Sequence, residues 1–340
     1  MAVIKDVAQL AGLSVSVVSK YLNYPDNVSE DTKLRVEAAI KELNYAPSLT
    51  ARSMRTKRSQ MIAIIVPDIM DAFYTDVFNS VKQYALAKGY TPILYTIEND
   101  IELLKDYLAK VSTKLFDGLM LCFLEEDELL EMYDELQAEL PVVMLSGAAA
   151  DNRFSAVITD LFEGSYIATK HLISSGCKRI ACICGPKGRK TTDEKKAGYA
   201  KAVKEAGLEV MEEYLYYGPY RYQTGYEAGV KFFRLPKMPD GVCAANDVIA
   251  AGLIKYVLNR GILIPDDIKV VGFDNVQLAS IYHPGISTIH VPVRQMCKKA
   301  VNMLIKSIEN KDKKKHKAVF KNKLIVRGST DKNSALEYEM

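Results

Sequence analysis

Histidine, the side chain that most often moves a proton near neutral pH, occurs only four times, as His171, His283, His290 and His316, in unrelated local contexts. That leaves little material for a Ser/His/Asp arrangement or a histidine metal centre. Six cysteines (Cys122, Cys177, Cys182, Cys184, Cys243, Cys297) stand in apolar runs with no Cys-x-x-Cys pair, which predicts buried small hydrophobes in a reducing compartment. The segment Gly185-Pro-Lys-Gly-Arg-Lys-Thr191 lacks the spacing of a phosphate-cradling loop, and no Gly-x-Gly-x-x-Gly occurs. Carboxylates such as Glu125 and Glu126 fall on polar helix faces. These residues predict no catalytic group, no cofactor and no metal. A cation cluster offers a different chemistry: residues 43–67 hold Arg52, Arg55, Lys57 and Arg58 and no carboxylate. The net charge of the chain is only +3, yet residues 1–60 carry nine basic and six acidic side chains, so the whole excess lies there. Guanidinium and ammonium groups without acids nearby neutralise phosphates.

The elements that position these residues follow from hydrophobic periodicity. At 340 residues, with 49% hydrophobic and 26% charged side chains, the chain is long enough for more than one core and too apolar for extended disorder. Residues 5–12, 14–22 and 29–43 have helical spacing only, with Ser14 and Ser29 placed as N-caps and Gly12 in a three-residue turn, which predicts a helix–turn–helix. In its second helix Val15, Ser16, Ser19 and Lys20 share one face, and Val17, Val18, Tyr21 and Leu22 the other. From Met61 onward about nine short β-branched runs alternate with amphipathic helices, including one expected over 125–139. This pattern predicts two parallel, doubly wound α/β halves facing each other across a ligand cleft. The lysine-rich stretch 298–323 reads as a solvated helix end and loop, and 331–340 as a polar tail. Lys5 and Asp6 stand where a signal peptide needs apolar residues, and no run approaches the ~20 apolar residues of a membrane span, so a cytoplasmic protein with no membrane partner is expected.

The string Ile4-Lys-Asp-Val-Ala-Gln-Leu-Ala-Gly-Leu-Ser-Val-Ser-Val-Val-Ser-Lys-Tyr-Leu-Asn23, with Val28-Ser29 and Glu42-Leu-Asn-Tyr-Ala-Pro-Ser-Leu-Thr-Ala-Arg-Ser-Met54, closely resembles the head of the lactose/galactose repressor family of bacterial regulators. Ile62-Ala-Ile-Ile-Val-Pro-Asp68, Phe73-Tyr74, Asp117-Gly118, Ala244-Ala-Asn-Asp247 and Val270-Val-Gly-Phe-Asp-Asn275 resemble its regulatory core. The resemblance implies an all-α head over 1–46, a hinge helix and linker over 47–60, and a two-lobed core of periplasmic-binding-protein type over 61–330. It also implies a homodimer on a palindromic double-stranded operator, with an apolar wedge in the minor groove. By position the base readers fall on Val15, Ser16 and Lys20, the backbone contacts on Ser14, Ser19, Asn23 and Tyr45, and the hinge contacts on Ala51, Arg52, Met54 and Arg55. Most relatives have Leu where Met54 stands, a conservative change.

The positions matching the family's effector pocket are Phe73, Tyr74, Ser146, Arg189, Thr191, Lys195, Tyr220, Asn246 and Asp274. An aromatic face with convergent donors and carboxylates suits a polyol ring or a planar base. Where the family often has an acid and an Arg, this chain has Ser146 and Lys195. A more positive pocket follows, so a sugar bearing an acid or phosphate is expected first, a neutral sugar next and a purine third. Two other classes share parts of this pattern: a two-lobed sugar receptor without a DNA role, disfavoured by the helix–turn–helix, and a sugar-acting α/β enzyme, disfavoured by the missing catalytic constellation.

Overall fold

In a computed structural model the protein is described at residues 2–46, 58–98, 100–111, 115–124, 140–146, 153–309 and 314–334. It divides into two units, residues 1–60 and 61–340. In the first, α1 (Ile4–Leu10), α2 (Val15–Asn23) and α3 (Glu30–Glu42) enclose Val7, Ala8, Ala11, Val18, Val36 and Ala39. The Ser14 and Ser29 hydroxyls accept from the third backbone N–H beyond them, capping α2 and α3 as their types require. Arg35 on α3 donates to the carbonyls of Ala11 (3.1 and 2.7 Å) and Gly12 (3.0 Å), fixing the turn that sets α2 against α1. Gly12 has φ +61°, a left-handed conformation that favours glycine.

The second unit holds two six-stranded sheets. The first has the order β11-β5-β4-β3-β1-β2, from β1 (Met61–Val66), β2 (Thr91–Thr96), β3 (Gly118–Cys122), β4 (Val142–Ser146), β5 (Ser155–Thr159) and β11 (Lys317–Phe320), all parallel. The second has the order β12-β10-β9-β8-β6-β7, from β6 (Ile180–Cys184), β7 (Leu215–Tyr217), β8 (Gly241–Ala244), β9 (Lys269–Asp274), β10 (Ser287–His290) and β12 (Lys323–Ile325), parallel except for β10 with β12. Continuous burial along β1, β3, β4 and β6 reflects helices covering both faces. The helices are α4 (Ala72–Leu86), α5 (Ile101–Val111), α6 (Leu161–Ser174), α7 (Lys190–Glu205), α8 (Tyr222–Phe232), α9 (Asp247–Leu258), α10 (Gln277–Ile281) and α11 (Val293–Ile308). The helix expected over 125–139 lies outside the described residues.

The stretch 298–323 is not a solvated end. α11 buries Met296, Cys297, Ala300, Val301, Leu304, Ile305 and Ile308 against the first sheet, β11 extends that sheet, and β12 extends the other. Lys298 and Lys299 lie on the exposed side of α11, so the lysines masked a helical apolar period. The chain therefore passes between lobes three times, after β5, after β10 and after β11. Two of these crossings are tied together: the Thr159 hydroxyl donates to Asn322 Oδ1 (2.6 Å), and Asn322 Nδ2 donates to the Asp160 carbonyl (2.6 Å).

Candidate nucleic-acid face and ligand cleft

In the head, Val18 is fully buried while Val15 is 40% exposed, and Ser16 and Lys20 are exposed beside it. Ser14 Oγ lies 2.7 Å from Ser16 Oγ, and Ser19 is half-buried. Tyr45 packs against the head core. A short face at the start of α2 thus presents one methyl-bearing side chain, one hydroxyl and one ammonium, the donor and apolar set that base edges in a major groove can use. Asn23 closes α2. Ala51, Arg52, Met54 and Arg55 lie outside the described residues.

In the core, a cavity with an empty volume of about 1260 Å³, including its open mouth, is lined from both lobes. It brings together seven of the nine expected residues: Phe73, Tyr74, Arg189, Thr191, Lys195, Tyr220 and Asp274. Ser146 is buried at the end of β4 and is not among the described lining residues, so it sets no charge there. Asn246 stands behind the wall; its Oδ1 accepts from the Ile249 N–H (2.9 Å) to cap α9, and its Nδ2 donates across the lobes to Asp71 Oδ2 (3.2 Å).

Sequence reasoning missed Asp68, Asp71, Phe123 and Arg221, which also line the cavity. Phe123 stacks edge-on to Phe73, with centroids 4.9 Å apart. Arg221 faces Asp68 across the lobes at 3.6 Å. Their signal was position: Asp68, Asp71 and Phe123 follow the carboxyl ends of β1 and β3, where doubly wound sheets meet their ligands.

The cavity sets three carboxyl groups, Asp68, Asp71 and Asp274, among three cations, Arg189, Lys195 and Arg221. Lys195, only 9% exposed, donates to the Ala245 carbonyl (2.7 Å) and lies 4.0 Å from the Phe273 ring centroid. Burial pushes Asp274 up to about 7; the Asp71 charge adds to this, while Lys195 opposes it. Burial likewise raises Asp71, against the Phe73 N–H and Lys195. Such a site holds a polar ring by hydrogen bonds and by contact with aromatic faces.

The sequence of this chain matches the model of bacterial regulatory proteins of the lacI family over residues 3–48 and that of the periplasmic binding protein-like domain over 169–330. It is 35% identical over 333 residues to the HTH-type transcriptional repressor PurR of Vibrio campbellii, covering 98% of this chain and 99% of the relative. The chain belongs to the LacI family. The corresponding repressor of Photobacterium profundum is 32% identical over 97% of this chain and 98% of its own. Among solved structures, a Lac repressor dimer bound to operator and the anti-inducer ONPF shares the fold at TM-score 0.85 and 22% identity, covering 97% and 99% of the two chains. A complex of the transcriptional regulator CelR with cellobiose aligns at TM-score 0.71 and 29% identity, covering 97% and 100%.

This LacI-family protein is a DNA-binding transcriptional repressor that responds to a small molecule, and it is not an enzyme. Its mixed α/β fold, with a helical head and two parallel-sheet lobes, is that of the family. Among the described residues, no helix is long and apolar enough to cross a membrane.

Proposed function

We propose that this repressor acts in the cytoplasm as a homodimer on a roughly palindromic operator, released or recruited by a neutral sugar in the inter-lobe cleft. The division into a head (1–46), a hinge segment (47–60), a core (61–330) and a tail (331–340) serves that reading. Val15, Ser16 and Lys20 read base edges, while Ser14, Ser19, Asn23 and Tyr45 fix the helix on the backbone. Ala51, Arg52, Met54 and Arg55 contact the minor groove, where Met54 wedges a base step.

The observation that carries the effector assignment is the mix of three carboxyl groups and three cationic donors around Phe73, Tyr74, Phe123 and Tyr220, a set that suits a ring of hydroxyls. With Ser146 outside the lining, the argument for an extra positive charge lapses, and a neutral polyol outranks a sugar acid or phosphate. The cellobiose complex of the CelR regulator supports the same class. Thermal-shift titration with glucose, cellobiose, gluconate, glucose 6-phosphate and adenine tests it. A ligand at 100 times its Kd adds about 2.7 kcal/mol of stability. Neutral sugars are expected to raise Tm by roughly 5–10 °C at that ratio, on the usual ~2–4 °C per kcal/mol for a large domain. A rise confined to the charged sugars or the base overturns the assignment. Light scattering and a salt-dependent operator shift test the dimer and the DNA reading.

A further inference from the structure

Beside the cleft, but not among the residues that line it, α9 opens with a carboxylic acid that neither groove contact nor ligand contact explains. Asp247 is 1% exposed. Its Oδ2 accepts from the Val276 backbone N–H at 2.9 Å, and its Oδ1 has no hydrogen-bond partner among the described residues. It fits only because residue 272 is glycine: a Cβ there would lie 2.2 Å from Asp247 Oδ1. The two points it touches, Gly272 and Val276, bracket Asp274 and Asn275, whose φ angles are +97° and +58°. Two successive side-chain-bearing residues in the left-handed region persist only where their surroundings over-determine them.

We propose that Asp247 is a positioning residue for effector recognition: by pinning the Val276 amide it holds the Asp274–Asn275 turn, and so sets where the Asp274 carboxyl stands in the cleft. Three further contacts hold Asn275, the Thr288 hydroxyl accepting from its N–H (3.3 Å), Arg327 donating to its Oδ1 (2.8 Å) and its Nδ2 lying 3.2 Å from His290 Nδ1, but Val276 and Gly272 are met by Asp247. The charged and polar groups around Asp247 are Asp274, Arg327 and Thr288. Burial and Asp274 push its carboxyl up, while Thr288, the Val276 amide and Arg327 pull it down. The clamp needs an acceptor oxygen rather than a charge. Asn supplies that oxygen, and Ala does not.

The inference rests on the cleft reading for its consequence, but its test needs no ligand, so its failure and that of the sugar assignment are separate results. Carbon-detected NMR follows the Asp274 carboxyl through a pH titration of the full chain. In the wild type its midpoint is expected at about 7. In Asp247→Ala the turn relaxes toward water and the midpoint falls by more than about one unit, a tenfold change in proton affinity, while Asp247→Asn keeps it. Gly272→Ala, which displaces the carboxyl from the other side, produces the fall with Asp247 present. If Asp247→Ala lowers only Tm and leaves Asp274 at about 7, the positioning role is overturned. Should Asp247→Ala not fold, Gly272→Ala and Asp247→Asn decide: an unmoved midpoint in the first, or a fall in the second, refutes the clamp.

Discussion

Replacing Lys195 by Met keeps the length and apolar bulk of the side chain and removes its charge and its donors. In the wild type the ammonium gives one hydrogen bond to the Ala245 carbonyl (2.7 Å) and lies 4.0 Å from the Phe273 centroid. A hydrogen bond from a charged group contributes about 1.5–3 kcal/mol, and a desolvated cation–π contact about 0.5–2. Met recovers part of this by burying its thioether against the same ring. A net loss of roughly 2 kcal/mol follows, or about 4–8 °C in Tm for a large domain. The second consequence is electrostatic and has a definite sign. Asp274 binds its proton at about 7 in the folded chain and near ~3.9 when unfolded. Between these values the folded state holds more protons, so this group's contribution to stability falls as pH rises from ~4 through 7. Lys195 favours the ionised form, and its loss should move the Asp274 midpoint above 7 and extend the falling limb upward. Urea melts at several pH values, with NMR titration of Asp274, measure both effects. An Asp274 midpoint unchanged in Lys195→Met would refute the electrostatic account of the cleft.

Four further substitutions probe the head, the hinge segment and the core. Lys20→Ala should cost about 1–3 kcal/mol of operator affinity and relax one base position, whereas Arg55→Ala should weaken all sequences alike and flatten the salt slope by about one. Equal loss on every sequence for Lys20→Ala, read in competition shifts, removes it as a reader. Val18→Ala, in a head with only a small core, should cost about 2 kcal/mol by lost burial and an unfilled space, and should abolish operator shifts while leaving thermal unfolding of the core unchanged. Gly225→Ala places a Cβ 1.9 Å from the Ile249 carbonyl oxygen between α8 and α9, so those helices must separate. A loss of at least 1–3 kcal/mol is expected in denaturant melts.

The head was legible because its determinants are local. Ser14, Ser29 and the apolar spacing of α1 to α3 act within a few residues, and a face that excludes Val18 from water presents Val15 and Lys20 by default. The alternation of strands and helices through β9 was legible for the same reason. β10, β11 and β12 were not, because each is three or four residues long, and β11 and β12 gain their pairing from partners far away in sequence, such as Ala156 for Lys317. In the cleft, residues identified by resemblance to the family were mostly gathered. Those whose role depends on a neighbour across the lobes, Asp68 with Arg221 and Asp71 with Asn246, carry no mark in sequence beyond standing after a strand end.

Those two pairs bear on how a ligand can act. A ligand moves a two-state equilibrium only by its differential contact with the two states. Here the lobes share polar contacts of their own, Asn246 with Asp71 and Arg221 with Asp68. A ligand that leaves these pairs intact and adds bonds to Lys195 and Asp274 deepens closure. One that takes Asp68 or Asp71 as its own acceptor replaces an inter-lobe bond with a ligand bond and leaves closure with less to gain. Thr159, Leu161 and Val291 line the cavity at or beside two of the chain crossings, so either change reaches the crossings directly. The choice of ligand partner among these carboxylates therefore alters closure through one or two hydrogen bonds, without a change of architecture.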